Sequence, residues 1–330
     1  MKAFAIQQEK TIQAIEMAEP QMSATDVLIE IHYIGLCGLM PFVTLPRVPG
    51  HEISGVILKK GSAVPDTLTV GDRVTVSPYT RCGVCPSCRS GRDNCCQYNQ
   101  TLGVQRDGAL TERIAVPFEK VFTSTKLSPT GLALVEPFSV GYHGANRGEV
   151  RETDTVLVIG CGTIGMGALS AAVRKGANVI ALDIDDSKLE KARRFGAAHT
   201  INSSSENVRK RIDAITNNEG VSVVIEAAGS PATFNMALDL VCFSGRIVTI
   251  GYSKNETGIK TQLIVSKELN IYGSRNALRV FPAVIGMIEQ NEALFLEMIT
   301  KIFPFDETPE AFAYWDANPG TVSKILIKVK

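Results

Sequence analysis

One stretch narrows the possible folds more than any other. Thr155–Ile159 is a short apolar run rich in β-branched residues. Gly160-Cys161-Gly162-Thr163-Ile164-Gly165 follows it, Met166–Lys175 has helical patterning up to Gly176, and Asn178–Asp183 reads as the next strand, ending on an acid. Three glycines in this spacing are a weak signal alone. Between a strand and a helix, and answered by Asp183 eighteen residues beyond Gly165, they form a dinucleotide-binding fingerprint. The first glycine permits a tight turn, the second lets backbone approach a pyrophosphate, and the third lets helix and strand pack closely. The helix N-terminus offers unpaired N–H groups to the phosphates. Asp183 is suited to accept hydrogen bonds from ribose hydroxyls and to repel a 2′-phosphate. Ile184 and Asp185 follow it rather than an arginine, so NAD is expected over NADP.

The alternation continues downstream. Ser187 can cap a helix over Lys188–Phe195, Val221–Glu226, Gly245–Ile250 and Glu268–Tyr272 are strand candidates, and Ala232–Val241 is a helix between the first two. Strands alternating with such helices predict a parallel, doubly wound α/β sheet. The first part of the chain has another character. Val27–Ile34, Ile53–Leu58 and Arg73–Ser77 read as strands broken by Gly and Pro, which predicts a mostly-β domain. A helix is expected over Pro282–Gln290, and the C-terminal strand Lys324–Val329 is expected to return to the first domain. The division predicted is 1–145 with 276–330, and 146–275 for the nucleotide-binding domain.

Composition removes several functions. Lys+Arg and Asp+Glu balance at 34 each over 330 residues, which argues against a nucleic-acid footprint or a polybasic membrane surface. The apolar runs are of strand length, far short of a membrane span, and the first residues lack a signal peptide's apolar core. Eight cysteines without such a signal favour metal ligation or free thiols over disulfides, and a cytoplasmic location.

Four of those thiols sit at Cys82, Cys85, Cys88 and Cys96, two C-x-x-C steps and a fourth ligand, with Cys95 competing for the fourth place by spacing alone. Tetrahedral thiolate zinc has this spacing, and four thiolates leave no open position, so the site is expected to be structural. A second set is Cys37 in Gly35-Leu36-Cys37-Gly38 with His51 and Glu52 in Pro49-Gly50-His51-Glu52. Thiolate, imidazole and carboxylate are all zinc donors, and three protein ligands with one open position are usual for catalytic zinc. Taken alone, the same residues could be a loop cap and an ordinary buried thiol.

These motifs, together with Glu136-Pro137-Phe138-Ser139-Val140-Gly141-Tyr142-His143, occur in an order that resembles the zinc-dependent medium-chain dehydrogenase/reductase family. The sorbitol (polyol) dehydrogenase-like branch is the nearest in pattern, and Gly273-Ser274-Arg275-Asn276-Ala277 is similar to bacterial L-galactonate or L-gulonate 5-dehydrogenases. The resemblance covers essentially the whole chain. It implies a GroES-like catalytic domain, a Rossmann coenzyme domain, an active site in the cleft between them, and a homodimer or homotetramer. It implies a catalytic zinc on Cys37, His51 and Glu52, with Glu136 a direct or water-mediated ligand, a structural zinc on the four cysteines, and NAD. Cofactor contacts are expected at Gly160, Gly162, Thr163, Ile164, Gly165, Asp183, Ile184, Lys188, Ile250, Ser274 and Arg275. Arg275 could instead bind substrate hydroxyls or fork onto a carboxylate, and His143 could line the cofactor side.

The sequence departs from the family at one point. Cys37-Gly38 runs into Leu39-Met40-Pro41-Phe42 where the family has Ser/Thr-Asp and a longer loop, so the interval to His51 is short. The missing part would carry the hydroxyl that relays the substrate proton. Two accounts compete: a segment missing from the sequence in hand, favoured because the flanking motifs match closely, or a chain that lacks the loop. The function expected is hydride transfer from a secondary alcohol of a polyol or sugar acid to NAD. L-Threonine or a simple alcohol as substrate is the alternative, and a catalytically silent zinc- and nucleotide-binding protein the reading from another class.

Overall fold

A computed structural model describes residues 1–8, 11–37, 45–253, 255–318 and 320–330. The chain divides into two compact units, 1–136 with 281–330, and 137–280. In the first unit the strands are β1 (Lys2–Gln8), β2 (Thr11–Glu16), β3 (Asp26–Gly35), β4 (Glu52–Lys60), β5 (Arg73–Val76), β6 (Arg113–Pro117) and β7 (Val121–Thr123). The second unit carries β8 (Thr155–Ile159), β9 (Asn178–Asp183), β10 (His199–Asn202), β11 (Val221–Glu226), β12 (Val241–Thr249) and β13 (Asn270–Gly273). The chain then returns to the first unit with β14 (Ile299–Pro304) and β15 (Lys324–Lys328).

In the first unit β3 is the hub. It pairs with β4, β6 and β15, all antiparallel, within a seven-stranded sheet ordered β14-β15-β3-β4-β5-β7 with β6 attached to β3. The reason is in its sequence: Val27, Ile29, Ile31 and Ile34 are fully buried against Ile53, Ile57, Val74 and Ile325, forming one continuous core. The expected return of the C-terminal strand is observed, with Leu326 opposite Gly35 and Ile327 opposite Ile34.

The second unit is a six-stranded parallel sheet ordered β10-β9-β8-β11-β12-β13. Its central strands are apolar on both faces, as a sheet covered by helices on both sides requires. One detail differs from expectation. Asp185, not Ser187, caps the helix Asp186–Arg194, accepting from the amides of Ser187 and Lys188. Its short carboxylate reaches those N–H groups before a serine inside the first turn could. The helix Val135–Arg147 and the helix Thr308–Ala317 were not foreseen. Among the described residues, no helix is long and apolar enough to cross a membrane.

Candidate metal centres and nucleotide site

Cys37, His51 and Glu52 each offer one donor atom, and the three atoms lie within 4.8 Å of one another. His51 and Glu52 are buried and Cys37 is half-buried. The three donor atoms meet although the sequence interval between Cys37 and His51 is short. Leu39, Met40, Pro41 and Phe42 lie outside the described residues.

Successive residues of a strand point to opposite faces. His51 and Glu52 converge because His51 precedes β4 and Glu52 is its first residue. Gly50 makes the bend with φ +105°, a left-handed conformation that a side chain rarely adopts. The segment is fixed from the other side by the loop 101–110. Gly108 N donates to Val48 O at 2.7 Å, Ala109 N to Gly50 O at 2.9 Å and Leu110 N to Pro49 O at 2.9 Å.

Two further side chains complete this centre, and sequence reasoning missed both. Lys324, the first residue of β15, is buried, and its Nζ donates to both Glu52 oxygens at 2.6 and 2.7 Å and to Leu36 O at 2.8 Å. Tyr79 is buried, and its hydroxyl donates to Glu136 Oε1. Burial, and then the negative charge of Glu136, push the Tyr79 phenol well above its usual range. Burial also raises the Glu136 carboxyl, against the pull of His51 and with the push of Glu52, so the two glutamates are electrostatic neighbours. Glu136 stands outside the group of three converging donors. A lysine opening an otherwise apolar Ile-Leu-Ile strand is the one sequence signal that could have drawn attention to Lys324.

The donor set fits a zinc ion. Sulfur, imidazole nitrogen and carboxylate oxygen converge, and buried His51 Nδ1 has no hydrogen-bond partner among the described residues. A buried polar atom left unpaired implies an unseen partner.

The second group is Cys82, Cys85, Cys88 and Cys96, again within 4.8 Å of one another, with Cys95 outside it. All are free thiols. Main-chain N–H groups point at the sulfurs, Cys85 N to Cys82 Sγ at 3.3 Å and Cys82 N to Cys96 Sγ at 3.4 Å. The amides of Cys88 and Gln97 pull the Cys85 thiol down to about 6, while burial holds Cys88 up at about 11. Amides aimed at sulfur stabilise thiolates, the form that binds metal.

In the second unit Gly160 has φ +92°, and a Cβ on Gly165 would stand 1.8 Å from Gly160 O, so neither position admits a side chain. A Cβ on Gly162 would meet nothing within 4 Å, leaving open space beside the start of the helix Thr163–Arg174, whose first turn no side chain caps. Ile164 lies in that first turn. The Asp183 carboxylate is buried and held by three main-chain donors, Cys161 N at 2.7 Å, Ile184 N at 2.8 Å and Asp185 N at 3.1 Å. Ile184 beside it is exposed and Lys188 follows in the next helix. Ile250 and Ser274 lie just past the carboxyl ends of β12 and β13, where ligands of open α/β sheets bind. The hydroxyls of Ser274 and Thr249 are buried there without a partner among the described residues. Arg275 is exposed, and His143 is buried on the helix Val135–Arg147.

Arg106 was also not foreseen. It sits on the loop fastened to Val48–Gly50, half-buried, with a buried Nε that lacks a partner among the described residues. Burial alone lowers its tendency to hold a proton, and its guanidinium has no carboxylate partner among the described residues.

Comparison with known proteins places the chain in a family. Residues 23–126 match the alcohol dehydrogenase GroES-like domain, and residues 163–290 match the zinc-binding dehydrogenase family. The chain is 36% identical over 98% of its length to an uncharacterized zinc-type alcohol dehydrogenase-like protein of Haemophilus influenzae, 98% of which is covered. It is 33% identical to the sorbitol dehydrogenase of Bacillus subtilis, covering 94% of this chain and 92% of that protein. It is 30% identical to the L-galactonate-5-dehydrogenase of Escherichia coli, covering 94% of each. A crystal structure of an Escherichia coli alcohol dehydrogenase, RspB, in complex with NADH superposes with a TM-score of 0.91 at 31% identity, covering 100% of this chain and 99% of that one.

Proposed function

The chain belongs to the zinc-type medium-chain alcohol dehydrogenase family, oxidoreductases acting on CH–OH groups with NAD(P), and within it we propose a dehydrogenase that moves hydride from a secondary alcohol of a polyol or sugar acid to NAD. The observation that carries this reading is the convergence of Cys37, His51 and Glu52 on one point. Zinc held by those three would supply a Lewis acid for the alcohol oxygen, and bound NAD the hydride acceptor.

The chain's own residues do the rest. Lys324 and Gly35 fix the Glu52 carboxylate, and the 101–110 loop fixes His51. Tyr79 donates its hydroxyl hydrogen to Glu136 Oε1 beside the centre. Asp183 would accept hydrogen bonds from the ribose hydroxyls of bound NAD and disfavour a 2′-phosphate. The four-cysteine lobe is structural. Its exposed Val84 and Tyr98 suit a subunit contact, and the open edge at β13, with Ile271 exposed, suits a homodimer or homotetramer.

Arg106 favours the acid side of the substrate class. A half-buried guanidinium with no partner among the described residues is costly unless a ligand satisfies it, and a substrate carboxylate is its natural complement. The test is NADH formation by zinc-replete protein against L-galactonate, L-gulonate, sorbitol, galactitol and L-threonine. Turnover of an aldonate or polyol is expected. No turnover of any secondary alcohol by protein holding about two zincs per chain would overturn the enzyme reading.

A further inference from the structure

Three neighbouring strands bring Leu326, Gly35 and Glu52 into one row, with Lys324 two residues before Leu326 at the start of β15. Gly35 ends β3, Glu52 opens β4 directly opposite it, and Leu326 of β15 faces Gly35 from the other side. The ammonium spends all three of its hydrogens there, on Leu36 O and on both oxygens of Glu52. The side chains are 5% and 2% exposed, so water screens neither charge.

Fold stability does not explain this pair. A buried ion pair is often no better than apolar residues of the same volume, because desolvation offsets the attraction. The strand it opens is already anchored by Ile325, Leu326 and Ile327, none of them exposed at all. The location is what stands out: a fixed positive charge rests on a carboxylate that would also hold a dication.

We propose that Lys324 is a charge-tuning and positioning residue of the metal centre. It weakens the centre's hold on a divalent cation and in return keeps that cation electron-poor. The proposal rests on reading Cys37, His51 and Glu52 as a metal site. A thiolate and the Glu52 carboxylate already match the charge of a dication, and Lys324 adds a positive charge bonded to one of those donors. A positive charge one carboxylate away must also repel a dication, an effect that short range and burial make large.

The test is divalent-cation affinity, read by chelator competition with Zn2+ on protein whose four-cysteine site stays filled. Lys324→Met should bind zinc at this centre about 10-fold or more tightly than the parent, and Lys324→Arg should stay within about threefold of it. A purely structural lysine gives the opposite sign, since losing it would misplace Glu52 and leave affinity unchanged or weaker; either of those results overturns the proposal. Should Lys324→Met not fold, Glu52→Gln and the double variant Glu52→Gln/Lys324→Met ask the same question with no unpaired carboxylate. The double variant must then bind more tightly than the single one, and equal or weaker binding overturns the proposal. If the parent protein takes up no zinc beyond the four-cysteine site, the metal reading itself has failed, an outcome distinct from the loss of the lysine's role.

Discussion

Gly35→Ala should strip the Cys37–His51–Glu52 centre of its metal while leaving the four-cysteine lobe loaded. A Cβ at Gly35 would stand 1.9 Å from Glu52 Oε2 and 2.9 Å from both its Cβ and Cδ. Comfortable contacts between carbon atoms lie near 3.5–4.0 Å, so the oxygen would have to retreat by more than about an ångström. A free carboxylate could swing aside at little cost. This one is tied by both oxygens to Lys324, and its Cβ, attached to backbone, cannot rotate away. Either β3 and β4 spread, or Glu52 leaves the lysine. Spreading is overpacking, which costs about 1–3 kcal/mol. Separating a buried pair costs about 3–5 kcal/mol.

The cheaper route sets the magnitude, a loss of about 1–3 kcal/mol, or a fall in Tm of roughly 2–12 °C at about 2–4 °C per kcal/mol for units of this size. On either route the Glu52 donor moves by a distance that metal geometry does not tolerate. Metal analysis should therefore show zinc falling from about two per chain toward one, with NADH formation lost. Calorimetry reads the stability change. A variant that keeps both zincs, its activity and its parent's Tm would refute the claim that the absence of a side chain at Gly35 aims Glu52.

Three other perturbations have definite outcomes. Arg106→Met should raise KM for aldonates by roughly 10- to 100-fold, the worth of a hydrogen bond to a charged group, and leave uncharged polyols and the Tm nearly unchanged; equal effects on both substrate types would remove Arg106 from acid recognition. Asp183→Asn should raise KM for NAD by a similar factor and narrow the preference over NADP, and an unchanged KM in steady-state kinetics would show that the ribose lies elsewhere. Asp185→Ala should cost about 1 kcal/mol at neutral pH through the lost helix cap. The Ser187 hydroxyl, foremost, holds the Asp185 carboxyl below its usual range. Its stabilisation is therefore present above the unfolded-chain value and lost as pH falls through the lower folded one, so the melting temperatures of parent and variant should converge on acidification. A gap that stays constant down to strongly acidic pH would show that the carboxylate charge contributes nothing.

What could be read in the sequence was what lies close together along it. The turn at Gly160, Gly162 and Gly165, the acid ending β9, and the four cysteines each fall within a few dozen residues, where spacing alone carries geometry. The return of β15 was also legible, because an apolar strand at the end of the chain needs a partner and the first domain offers one. Charge at the metal centre was not legible. Glu52 and Lys324 are 272 positions apart and Tyr79 and Glu136 are 57 apart, and only the register of β15, β3 and β4 or the docking of the helix at Val135 makes them neighbours. A ligand set read by spacing therefore names the atoms that touch a metal but leaves out the charges that set its strength. Two chains of this family could share Cys37, His51 and Glu52 and still hold metal with different affinity, if one has a lysine opening its last strand and the other does not. The identity of the residue at position 324 is thus expected to separate tightly from loosely metallated relatives, and measured zinc affinities across such pairs, uncorrelated with that residue, would sink the idea that charge beyond the ligands governs this centre.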